Sequence, residues 1–156
     1  MRYSKEMIYE EFDKAKEELK RADHLVYVTL KYTRTVDVIK NIITRFISVF
    51  EAVTYEYLEY LKEKNKIKQI PDSAKLRAEL LQKMFKGKIK EYVKLYNLLK
   101  KINKAEYSKE EEFRKHVALV AHIRKKDIKV DIPTLVDYFK KTREFMNIIH
   151  EEIKWP

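Results

Sequence analysis

Apolar side chains return every three and four positions in three separate stretches of this chain, and that spacing decides most of what it can fold into. Ile8, Phe12, Ala15, Leu19, Ala22 and Val26 step 4, 3, 4, 3, 4. Leu135, Phe139, Thr142, Met146, Ile149 and Ile153 do the same. Between them run Ile39, Ile43, Phe46, Phe50, Val53, Tyr57 and Leu61. At 3.6 residues per turn, each set forms one stripe along one side of a helix. Stripes of this kind pack as near-antiparallel rods. The expected fold is therefore all-α: an up-and-down bundle of four to five long helices, with all 156 residues in a single domain.

Ser4 can cap the first helix, expected from about Ser4 to Lys31, and Thr33-Arg34-Thr35 breaks it. Thr35 caps the second helix. Ile42, Ile47 and Val49 widen its apolar face, which places it at the centre. Lys62–Lys68 and Pro71 end it. Asp72 or Ser73 then caps a helical region over Ala74–Ile102 that Gly87 splits or kinks. Ser108 with Glu111 reads as a capping box. Glu110–Glu112 at one end and Arg124–Lys126 at the other suit a helix dipole, and Phe113, Val117, Val120 and Ala121 supply an apolar set. These features predict a helix over Lys109–Lys126. The alternative is that valine-rich His116–Ile123 is extended. Ile128 and Val130 alternate with charges in a short extended link, and Pro133 opens the last helix.

Composition narrows the chemistry. Hydrophobic residues make up 45% of the chain, too many for low-complexity disorder. The single glycine, Gly87, rules out a Walker loop, a dinucleotide fingerprint and a nucleophile elbow, because each needs several glycines to let backbone approach its ligand. With no cysteine there is no disulfide and no thiolate metal ligand, which fits a reducing cytosol. Charge breaks every apolar run before the ~18 residues a membrane span needs. Met1–Lys20 is too charged to read as a leader. A cytoplasmic protein with no membrane partner is expected, and its richness in Lys, Glu, Ile and Tyr suits a thermophile.

The net charge is +10, and residues 71–104 hold most of it, with ten basic and three acidic side chains. Glu91 is the only acid between Lys83 and Lys104. On a wheel of about 100° per residue, Ile89, Tyr92, Tyr96 and Leu99 fall on one side and Lys90, Lys94 and Lys101 on the other. Lys83 joins them if the helix runs through Gly87. Lysines without Glu at i+4 repel one another, and a polyanion relieves that repulsion. Lys83, Lys90, Lys94 and Lys101 are therefore the candidate nucleic-acid contacts.

Catalytic patterns are sparse. No two of His24, His116, His122 and His150 stand three or four apart, so no helix presents a histidine pair, and no metal site or cofactor is expected. No Ser-His-Asp arrangement is legible. Glu56 and Glu59 share a face but read as solvated helix surface, and His116 and His122 read as satisfied edge histidines. One spacing remains. Arg143 and His150 are seven apart, about two turns, and project from the same helix edge beside Met146 and Ile149. An Arg beside a His can act on a phosphodiester as RNA cleavage requires.

In these two residues, and in its general run of long helices with a basic middle, the chain resembles the HEPN domains of prokaryotic defence and toxin–antitoxin systems. Their motif is Arg, four to six residues, then His. Glu144 stands where that family usually has Asn, Asp or His. The resemblance implies either a dimeric metal-independent ribonuclease with Arg143 and His150 as catalytic residues, or an inactive relative that binds a partner protein. The reading preferred from the residues is a non-catalytic interaction protein that forms a homo-oligomer, expected to be a dimer, and binds RNA or an acidic protein partner.

Overall fold

The computed structural model describes residues 5–153. At its centre is the helix with the widest apolar face, α3 (Val36–Glu63). The Thr35 side chain caps it by accepting the Val38 N–H, as the sequence predicts. Helix α1 (Lys5–His24) runs through a π turn, Leu25–Thr29, into α2 (Leu30–Tyr32), and this rod packs along α3. Ala15, Leu19, Ala22, Val26 and Leu30 are buried along it. Arg45 of α3 holds Glu18 of α1 at 3.0 Å. The cap expected at Ser4 lies outside the described residues.

The segment predicted to split at Gly87 does so, into α4 (Ala74–Met84), capped by Ser73, and α5 (Lys90–Lys104). Phe85 is buried in the break with its ring edge-on to Tyr57 at 5.5 Å. A Cβ on Gly87 would collide with that ring. Phe85 cannot swing away without leaving the core, so glycine is needed here for space rather than for backbone freedom. Gly87→Ala is expected to lower stability by about 1–3 kcal/mol as an overpacking change. A urea midpoint equal to that of the parent chain would refute this.

Beyond α5 the all-α bundle expectation fails, and the corrected fold combines helices with a three-stranded antiparallel sheet. Strands β1 (Glu106–Glu110), β2 (Ala118–Ile123) and β3 (Lys126–Asp131) pair in that order, and α6 (Ile132–Glu152) follows. The predicted helix over Lys109–Lys126 does not form. The alternative, an extended His116–Ile123, matches β2, and the expected link at Ile128 and Val130 is β3. The physical reason is burial. A helix would hide one stripe of the segment, whereas in the middle strand Ala118, Leu119, Val120 and Ala121, with Val117 just before them, are all at most 8% exposed. Tyr107, Leu119, Ala121 and Val130 alternate onto one face of the sheet, while Ser108, His122 and Asp127 alternate onto the other.

The acids read as a helix start serve neighbours instead. The Glu112 carboxylate accepts the Val36 N–H at 3.1 Å and so caps α3 from across the fold. Glu110 reaches Lys129 at 3.7 Å. Helix α6 opens with Asp131, which accepts from the Thr134 amide and hydroxyl, followed by Pro133 in its first turn. Burial alone would raise the Asp131 pKa, but the Thr134 hydrogen bonds outweigh it and hold the carboxyl below its ordinary range.

Candidate polyanion-binding face

Helix α5 buries Val93, Tyr96, Leu99 and Ile102 against the core. Tyr96 donates its hydroxyl to Glu51 of α3 at 2.7 Å, and burial together with that carboxylate pushes the phenol pKa up. With this side fixed inward, Lys90, Lys94 and Lys101 are exposed on the outer side. Lys83 does not belong to the same stripe, because the helix stops at Met84 and resumes at Lys90. It lies in the last turn of α4, and exposed Lys86 and Lys88 sit in the break between the two helices.

The junction forms an open cleft of about 570 Å³ lined by Gln82, Gly87, Lys88, Lys90, Glu91 and Lys94. None of Lys83, Lys86, Lys88, Lys90, Lys94 and Lys101 has an acidic partner among the described residues. Elsewhere, Lys109, Lys129 and Lys141 each find a carboxylate within 4 Å. Glu91, the one acid in the segment, lies 3.8 Å from Lys141 of α6.

The other candidate pair separates by depth. Arg143 is exposed over the Phe139 ring, 5.4 Å from its centroid, and borders a shallow cleft with Lys16, Lys20 and Asp23 of α1. His150 points into the fold with a side chain 10% exposed, and its Nε2 lies 2.9 Å from the Glu56 carboxylate. Glu56 and Glu59, expected as solvated surface, are 0% and 2% exposed, because the second half of α3 is covered on nearly every side. Tyr92 donates to Glu144, the acid beside Arg143, at 3.0 Å.

One constellation escaped the sequence reading. Ser108 Oγ lies 2.6 Å from His122 Nε2, and His122 Nδ1 lies 2.9 Å from Asp127. Strand register assembles it: His122 faces Asp127 directly and Ser108 diagonally. The order is that of a nucleophile, a base and an orienting acid. The group sits on the open face of the sheet, with His122 42% and Asp127 64% exposed, so water competes at both hydrogen bonds. It ties three strands together, and nothing around it dehydrates a reacting centre.

Among the described residues, no three His, Asp or Glu side chains converge as metal ligands would. No described helix is long and apolar enough to cross a membrane. No family model, curated protein or solved structure matches the chain.

Proposed function

We propose that this chain is a non-catalytic interaction protein that binds RNA or another polyanion through the lysine face of α4 and α5. The supporting observation is the set of exposed lysines around the α4–α5 break with no acidic partner among the described residues. Holding like charges on one side of a fold costs stability, and a phosphate backbone returns it by releasing counterions. Lysine, with a compact and mobile charge, suits backbone contact without base readout.

The test is an RNA shift titrated at several salt concentrations with the triple variant Lys90→Glu, Lys94→Glu, Lys101→Glu. All three side chains are exposed, so the variant is expected to keep the fold, which circular dichroism checks. Affinity at low salt is expected to fall at least about 100-fold. The slope of log K against log salt should flatten by about two, since each lost phosphate contact removes roughly 0.7. Unchanged binding in the variant, or no binding by the parent chain at low salt, rejects the reading. Metal-independent RNA cutting that Arg143→Ala abolishes would replace it with a ribonuclease reading. Light scattering on the same samples tests self-association: a dimer mass supports it and a monomer mass removes it.

A further inference from the structure

Among the described residues, the two most exposed large hydrophobic side chains are Tyr32, 85% exposed, and Phe113, 77% exposed. They are 81 positions apart in sequence, yet the Phe113 N–H donates to the Arg34 carbonyl at 2.7 Å, which brings both rings to one end of the fold. They make no ring contact with each other, so each keeps a face open to solvent. Phe113 is also held in a left-handed backbone conformation, φ 67°, two residues after Glu111 at φ 53°. A bulky residue rarely adopts such a φ, and here the surroundings enforce it. Glu112 is locked onto the start of α3, Arg114 N–H donates to Glu111 O, and Val117 N–H donates to Arg114 O. An apolar ring is thus presented outward by a strained, well-anchored loop.

The charges around this tip match one kind of partner. The nearby acids are already engaged: Asp37 and Glu112 with Lys109, Glu110 with Lys129, and Glu111 with Arg114. Lys31, Arg34 and Lys115 have no acidic partner among the described residues. The tip lies beyond the C-terminal end of the lysine-bearing helix α5. Asn103 meets Thr44, Tyr107 lies under Lys40, Lys109 reaches Asp37, and Phe113 reaches Arg34, so the chain leaving α5 descends α3 turn by turn. A flexible strand lying along α5, about 22 Å long, and running on for about 12 Å beside the first turns of α3 would reach the two rings.

We propose that Tyr32 and Phe113 form a base-stacking platform, which makes the ligand of the lysine face a single-stranded nucleic acid rather than a polyanion of any kind. The inference rests on the lysine reading and deepens it. Aromatic rings beside cations bind successive bases of a single strand with little sequence preference, and a duplex or an inorganic polyanion has no unstacked base to offer.

The experiment compares labelled oligouridylate with inorganic polyphosphate, each titrated by anisotropy against the full chain, Phe113→Ala and Tyr32→Ala. Each variant is expected to bind oligouridylate about tenfold more weakly and polyphosphate unchanged. Phe113→Gly, which also relieves the backbone strain, should lose the same binding while melting no lower than the parent. Oligouridylate binding unaltered in both ring variants overturns the platform, leaves the lysine reading standing, and makes the rings a contact for a protein partner. Equal loss of both ligands also overturns it. If the parent chain binds neither ligand, the lysine reading falls, and the platform with it.

Discussion

Replacing His150 with alanine is expected to destabilise the protein by about 3–5 kcal/mol, a drop of roughly 10 °C in Tm for a chain of this size. The imidazole lies within 2.9 and 3.2 Å of the two Glu56 carboxylate oxygens, and Glu56 has no solvent exposure at all. Removing the ring takes a hydrogen-bonding partner from a carboxylate that water cannot reach, and the desolvation cost of that group remains. Adding Glu56→Gln to His150→Ala should recover part of the loss, because the neutral amide is cheaper to bury. Urea denaturation of the single and double variants checks this. A loss below about 1 kcal/mol for His150→Ala would mean that the pair contributes no more than a surface ion pair. This role also limits what His150→Ala can report about RNA cleavage, since lost activity would follow from lost folding. Arg143, exposed on the same helix, is the cleaner probe.

The second large effect lies where α3, α5 and α6 meet. Phe50 is 2% exposed, with its ring 4.8 Å from Phe145 and 5.7 Å from Tyr96. Phe50→Ala is expected to cost about 4 kcal/mol, combining lost apolar burial with a cavity that three rigid helices cannot close. Phe50→Leu keeps most of the volume and should cost about 1–2 kcal/mol. The urea midpoint should shift with little change in m-value, because the surface exposed on unfolding is nearly the same. A loss below about 2 kcal/mol for the alanine variant would show that the three helices repack around the gap.

The helical part of the fold was legible because its signals are local. The buried set Ala15, Leu19, Ala22 and Val26 lies within four turns of one another, and Thr35, Ser73 and Asp131 cap helices within three residues of themselves. Of these caps, Asp131 was not foreseen, although Pro133 marked the start of its helix. The sheet was misread because its signals resemble helical ones. Ser108 and Glu111 have capping-box spacing, but Ser108 bonds to His122 on the next strand and Glu112 caps a helix that begins 76 positions earlier. Val117 and Val120 within His116–Ile123 pointed to a strand, and only the place of β2 between two partners settled the matter.

The candidate site divides in the same way. The outward side of Lys90, Lys94 and Lys101 follows from the opposing stripe of Tyr96 and Leu99, which any reading at 100° per residue finds. Glu56 and Glu59, by contrast, look like ordinary solvated charges on α3, and nothing near them in sequence says that other elements will cover them. Ser108, His122 and Asp127 have no helical spacing at all, and their meeting depends on strand register.

By itself, then, the sequence determined which side of each rod is greasy, where several rods begin, and that the excess positive charge lies in one segment. These properties depend on residues within a few turns of each other. The tertiary structure alone decided that 106–131 is a sheet, that two carboxylates go inside, and that Arg34 meets the Phe113 loop. Each of those outcomes depends on a partner far along the chain, as with His150 and Glu56, 94 positions apart. Burial and pairing energies between such partners exceed the local preferences that the sequence displays.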